Sequence, residues 1–479
     1  MVPANKFVVN AEISDTLSVM RSLASLLVFC TVLAGAQAPQ EPIYYLLWFD
    51  TEDYITPASD DAALRLAKEL DQLGVRATFK VVGEKARVLE KRGRRDVIQA
   101  LAKHDIGYHS NNHSIPPSPS VYLRPLGWLE GAAEFERREG PGAREVARIF
   151  GQTPSCYGQP GNSWGPQSLP ALRKMGIPAY MDEASQVGLN QQPFWYSGIL
   201  HVLNLRQFSP RANLNRPEDL EEGIRKFDAA VAELRQRGGP GFIQSYYHPT
   251  EWVTTEFWDG VNFRHGRYTA PADYKMPQAR TPEATAQAYR IFLDFVRHVK
   301  QTPGIRFVTA RDLPGLLADP VTRPTAAQAR EQFRTAIDMV GAHSAADLLL
   351  ALLGVVPRQV DGPSERVPTT VSAPVTRVKF EYAKRQAVEH IEQTGRLPSH
   401  VFVDTATLSL AGLATMLAYD DGAAAVPVRE GKLAFERHIA KDGKKTFDWV
   451  IHPEGFDGSA LLELGRLQAW TLKPARLRH

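Results

Sequence analysis

A chain of 479 residues is long enough for two or three domains, since one core serves roughly 100–200 residues. Apolar content of 43% with 23% charged residues is that of a globular protein and excludes a disordered or fibrous chain. The net charge of +3, from 56 basic and 53 acidic residues, leaves no electrostatic footprint for nucleic acid, and the basic stretch Lys85–Arg95 reads as a solvated helix face.

At the N-terminus, Arg21 precedes an apolar run from Leu23 to Leu33, followed by Ala34-Gly35-Ala36-Gln37-Ala38. A basic start, a short apolar stretch and an Ala-x-Ala site predict a secretory signal over residues 1–38, cleaved after Ala36. The run is shorter than the roughly 20 residues a bilayer span takes. No stable membrane span is therefore expected, and the mature chain is expected in the periplasm or outside the cell. Of the two cysteines, Cys30 falls inside the signal, so the mature chain keeps Cys156 and has no intramolecular disulfide.

From residue 43 the pattern alternates between strand and helix. Ile43 to Phe49 is a continuous apolar run, as expected of a strand covered on both faces. Ala63, Leu66, Ala67, Leu70 and Leu73 recur at helical spacing, and Gly74 ends that helix. Strands are predicted at 75–82, 106–108, 178–181, 241–247 and 306–309. Helices are predicted at 88–102, 128–150, 217–236, 282–300 and 313–317. Repeated strand–helix units favour a parallel α/β barrel or a doubly wound sheet, with chemistry gathered at the carboxyl ends of the strands. The catalytic domain is expected over residues 41–320. Beyond it, helices at 326–340 and 345–355, a Pro/Ser/Thr-rich connection at 356–374, a helix at 378–395, a strand at 401–403 and a helix at 408–418 predict a smaller α+β module over 325–479.

Three polar clusters follow predicted strands. The first is Asp50-Thr51-Glu52-Asp53, the second His109-Ser110-Asn111-Asn112-His113, the third His248-Pro249-Thr250-Glu251. Two histidines four apart project on one side of a helical turn and can bind one metal through their ring nitrogens. A carboxylate completes a three-ligand set that leaves room for water and substrate, the arrangement of catalytic sites. A second carboxylate off the metal can take a proton from water, and a further histidine can return one to a departing amine.

The chain from about 43 to 317 resembles the polysaccharide deacetylases of the NodB-homology class, the family-four carbohydrate esterases. Ala77-Thr78-Phe79-Lys80-Val81-Val82-Gly83 is similar to the family's Ala-Thr-Phe-Phe-Val-x-Gly strand, and His-Ser-x-x-His at 109–113 matches its metal motif. The resemblance implies a distorted parallel (β/α) barrel. It makes Asp50 the general base and His248 the general acid. His109 and His113 become metal ligands, joined by a carboxylate for which Glu52 is the first choice and Asp53 the second. The metal implied is zinc, with cobalt or manganese suited to the same donors. Where the family places an arginine that orients the base, this chain has Gly158 in Cys156-Tyr157-Gly158-Gln159-Pro160. Loss of that cation is expected to raise the pKa of Asp50. Tyr157, Gln159 and Trp164 are expected to contact substrate.

Gly395 to Val401, followed by Leu408-Ser409-Leu410, is similar to repeats that bind pseudomurein or other wall polymers. The function expected is metal-dependent removal of an acyl group from an amino-sugar polymer such as peptidoglycan. Two other readings use the same residues: hydrolysis of a small non-sugar amide, and glycan binding without catalysis.

Overall fold

The computed structural model describes residues 41–318 and 323–478. The export signal expected over 1–38 lies outside the described residues. A curled, mostly parallel sheet of ten strands forms a half-barrel at the centre. Its first strand, β1 (Ile43–Thr51), is buried at all nine positions, which is why its sequence reads as unbroken hydrophobicity up to Asp50. Strands β2 (Thr78–Val81), β3 (Asp105–Tyr108), β4 (Cys156–Tyr157) and β5 (Ala179–Asp182) follow in parallel on one side of β1. Beyond β5 come β7 (Ile199–Leu203), parallel to it, and the antiparallel β6 (Phe194–Tyr196). On the other edge of β1, β8 (Gly241–Tyr247) pairs with Ile43–Phe49, while β9 (Ile305–Val308) pairs with the first four residues of β1 on the edge it shares with β2.

Helices cover the outer face. The helix Pro282–Gln301 starts where Thr281 accepts a hydrogen bond from Ala284 N and Pro282 fills the first turn. Its buried stripe includes Tyr289, Phe292, Phe295, Val296 and Val299, at the spacing of one helical face. Phe292 meets Phe49, Tyr247 and Trp252 at ring distances of 5.9, 5.2 and 5.1 Å. Phe49 thus points outward into this aromatic layer, and strand alternation turns its neighbour Asp50 to the inner, concave side.

Pro42–His479 cluster as one compact unit. The helix expected at 326–340 ends at Thr335, because residues 336–340 turn extended and Ile337 bridges to Leu433. The connection at 356–374 is tied down: Arg173 pairs with Asp361 at 2.8 Å and Gly362 N donates to Gln468 Oε1 at 2.8 Å. Near the end of the chain, Lys473–Pro474 adds to the central sheet as an antiparallel strand against β6.

Candidate active site

Asp50 and Glu52 lie two residues apart and face the same side, where the strand leaves the sheet. Glu52 accepts a hydrogen bond from Trp258 Nε1 on Oε1 at 3.0 Å, which turns Oε2 toward two histidines. His109 Nε2 lies 3.2 Å and His113 Nε2 2.8 Å from that oxygen, and all three side chains are buried. Their ligand atoms fall within 4.8 Å of one another. The spacing of four does not work here through a helical turn: Ser110 and His113 adopt left-handed backbone (φ 66° and 54°), and the loop between them folds both rings inward.

The donor set suits a divalent metal. His109 Nδ1 donates to Gly158 O at 3.0 Å, leaving the Nε2 lone pair for a ligand. Ser114 Oγ sits 2.6 Å from His113 Nδ1 in the same role, and His113 Nε2 is buried without a hydrogen bond of its own. Burial raises the Glu52 carboxyl, but the charges of His113 and His248 outweigh it and hold Glu52 well below the usual carboxylate range. Burial lowers His109 and keeps it neutral, the form that ligates metal. Asp53 is outside this set. Its Oδ1 accepts from Ile55 N and Thr56 N at 3.0 and 2.9 Å, and its Oδ2 accepts from Thr250 Oγ1 at 3.0 Å. Asp53 therefore closes the turn after β1, as an Asx side chain does, and Glu52 alone supplies the carboxylate.

A cation does stand beside Asp50, and it is Lys80. The register pairs Asp50 with Lys80, and Nζ lies 2.9 Å from Asp50 Oδ1. The ammonium also contacts Met181 O at 3.0 Å and Asp182 Oδ2 at 3.5 Å, and it rests 3.9 Å over the Trp48 ring. Two glycines clear its path. A Cβ on Gly107 would come within 2.9 Å of Lys80 Cγ, and one on Gly158 within 2.1 Å of Nζ. Gly158 is thus the space through which a lysine from the second strand reaches the base, so the expected loss of positive charge is corrected. Burial would lower the Lys80 pKa, but Asp182 and Asp50 overcome it and keep the ammonium charged. Residue 80 could have been noticed as a charge inside an otherwise apolar strand.

On the opposite side, His248 follows β8. Its Nδ1 is 2.9 Å from Glu251 Oε1, and its Nε2 is 3.7 Å from Asp50 Oδ2. Arg211 grips Glu251 with both Nη atoms, Nη1 at 3.2 Å from Oε1. Burial works against the imidazolium, but Glu52 and Glu251 push the His248 pKa up to about 9.

Asp50, Glu52, His109, His113 and His248 line one cavity of about 250 Å³ together with Gln159, Asn162, Glu183, Tyr246, Phe257, Asp259 and Trp449. Of the three expected contact residues, Gln159 lines it, its Oε1 accepting from Tyr180 Oη at 2.7 Å. Tyr157 and Trp164 do not. Tyr157 points outward and packs edge-on against Phe135 and Tyr180, while Trp164 lies fully buried, with a Cβ added at Gly465 2.9 Å from its ring. Trp449 comes from far along the chain and had no local signal.

No protein-family model matches the chain, and no curated protein matches it. Among solved structures it is similar to the Xyl-CE4 domain of a multidomain xylanase from the hindgut metagenome of Trinervitermes trinervoides, at 12% identity and a TM-score of 0.31, over 57% of this chain and 90% of that one. It is similar to wild-type BA3943, a CE4 family pseudoenzyme from Bacillus anthracis, at 12% identity and a TM-score of 0.31, over 57% and 65%. It is also similar to Puue allantoinase, at 13% identity and a TM-score of 0.36, over 58% and 92%. These likenesses are distant, and the chemistry is read from the side chains.

Proposed function

We propose that the chain is a metal-dependent hydrolase that removes the acyl group from the amide of an N-acylated amino sugar, in a cell-surface or extracellular glycan. The observation that carries this is the convergence, in one cavity, of Glu52, His109 and His113 with a lysine-held carboxylate on one side and a carboxylate-held imidazolium on the other. A divalent metal held by the three ligands, zinc, cobalt or manganese by donor type, would polarise the acyl carbonyl and acidify the attacking water. Asp50 accepts the proton of that water, and Lys80 holds its carboxylate in place. His248, held by Glu251, gives a proton to the amine as the C–N bond breaks. Glu251 and Arg211 keep the imidazolium aimed into the cavity. A protein that only bound glycan would have no use for a paired base and acid around three convergent ligands.

The test measures metal content and acetate release from N-acetylglucosamine oligomers. His113→Ala is expected to lose both. Asp50→Asn is expected to keep about one equivalent of metal while turnover falls about 10²–10⁴-fold, the usual worth of a general base. Full turnover in the Asp50 variant would remove that residue from its role. Metal binding without acetate release in the wild type would remove the hydrolase reading.

A further inference from the structure

The C-terminal part of the chain crosses the cavity and is fastened at both banks. On one bank, Asn162 Nδ2 donates to Asp448 Oδ1 at 3.0 Å, and Trp449 N donates to Asn162 Oδ1 at 3.3 Å. On the other, Trp449 Nε1 donates to Asp259 Oδ2 at 2.9 Å, and His265 N donates to Val450 O at 2.7 Å. The Trp449 ring meets Phe257 edge-on at 6.1 Å, and His452 Nε2 lies 2.8 Å from Ser120 Oγ. Gly161 is shaped for this contact: its φ is +54°, and a Cβ there would lie 2.4 Å from Trp449 Cδ1. Asp259 itself is buried, and Trp449 is 36% exposed at the mouth.

A glycan lying along a groove needs both ends of the groove open. Here the segment is held to Asn162 by Asp448 and the Trp449 backbone and reaches Asp259 through the Trp449 indole, and the space left, about 250 Å³, is below the roughly 300–1,000 Å³ of drug-sized sites. We infer that the segment 448–453 is a specificity wall that makes the site a pocket for one acylated residue, either a small free acyl amide or the terminal unit of a chain, and excludes the interior of a polymer. What is cut rests on the hydrolase reading; what can enter rests on the wall.

Two measurements separate these. The first uses metal-loaded Asp50→Asn protein, which holds substrate without turning it over. Calorimetry is expected to show N-acetylglucosamine bound and displaced only weakly by soluble glycol chitin, about tenfold less well per residue. Trp449→Ala should erase that difference, and Asn162→Ala, which frees one bank while keeping the indole, should reduce it. The second uses the unaltered enzyme and mass spectrometry of the N-acetylglucosamine pentamer. Acetyl loss is expected at a terminal unit only, spreading to internal units in Trp449→Ala. Equal binding of monomer and polymer in the wild type, no binding of the monomer, or an unchanged preference in both variants overturns the wall. No acetate release alongside a preserved size preference overturns the hydrolase reading and leaves the wall standing.

Discussion

A buried ammonium is stable only where carboxylates and carbonyl oxygens replace its water, and Lys80 has both. The site therefore depends on a fully buried residue behind Asp50 and on the absence of a side chain at Gly158. Gly158→Ala introduces no left-handed strain but places a methyl group 2.1 Å from the Lys80 Nζ position. The ammonium must leave Asp50, and turnover is expected to fall at least about tenfold with metal content unchanged. Lys80→Met removes the cation from two buried carboxylates and is expected to cost about 3–5 kcal/mol of stability, read by urea denaturation. Full activity in both variants would show that Asp50 needs no cation. Lys80 was hard to read in sequence because its meaning lies in the register with Asp50 and in two glycines on neighbouring strands. Asp50, Glu52, His109, His113 and His248 were legible because each sits where an apolar run stops at a polar cluster. Asp53 stood beside them, but a chain of letters does not say which carboxylate faces a turn.

Elements carry this precision from the core to the site. β1 presents Phe49 to the outer aromatic layer and Asp50 to the cavity, so packing on one face fixes the height of the base on the other. Phe292→Ala removes the ring that touches Phe49, Tyr247 and Trp252, and is expected to cost about 3–5 kcal/mol of stability. Activity at a temperature where the variant stays folded should fall as well, since β1 and β8 hold Asp50 and His248. Unchanged unfolding free energy would mean that the layer repacks around the gap. Most of the parallel strands and their helices were readable from periodicity because each buries a regular stripe, but the helix expected at 88–102 is broken at Gly93 into Gly83–Lys91 and Arg95–Leu101, and β7 was not expected. Tyr157 and Trp164 show the limit of such reading: an aromatic residue next to a motif looks the same in sequence whether its ring lines a cavity or fills the layer behind it.

For the molecule as a whole, acid is the condition that tests the core. His201 is stacked between Tyr180 and Phe194 at 5.1 Å from each, its Nδ1 donating to Ile199 O and its Nε2 without a partner. Burial lowers its pKa to about 3 from an ordinary 6.5, and lowers His452 to about 4. Because the unfolded chain takes up these protons first, the contribution of these two histidines to stability is fully present above pH 6.5. It is lost as pH falls toward 4, by at most about 1.4 kcal/mol per pH unit for each group. Urea unfolding at pH 7.5 and 5.0 should show this, and His201→Phe should remove part of the slope; an equal slope in the variant would assign the acid sensitivity elsewhere. The contacts that close the molecule span more than half of its length. Trp449 and Asn162 are 287 positions apart, and Lys473–Pro474 completes an edge begun at Phe194. At synthesis rates of roughly 5–20 residues per second, the growing chain spends tens of seconds with its sheet edge uncovered and its catalytic groups unroofed. Residues made late are thus the ones that finish a sheet begun early, and until they arrive the chain has a long interval in which it can be kept unfolded, handed on or lost to aggregation.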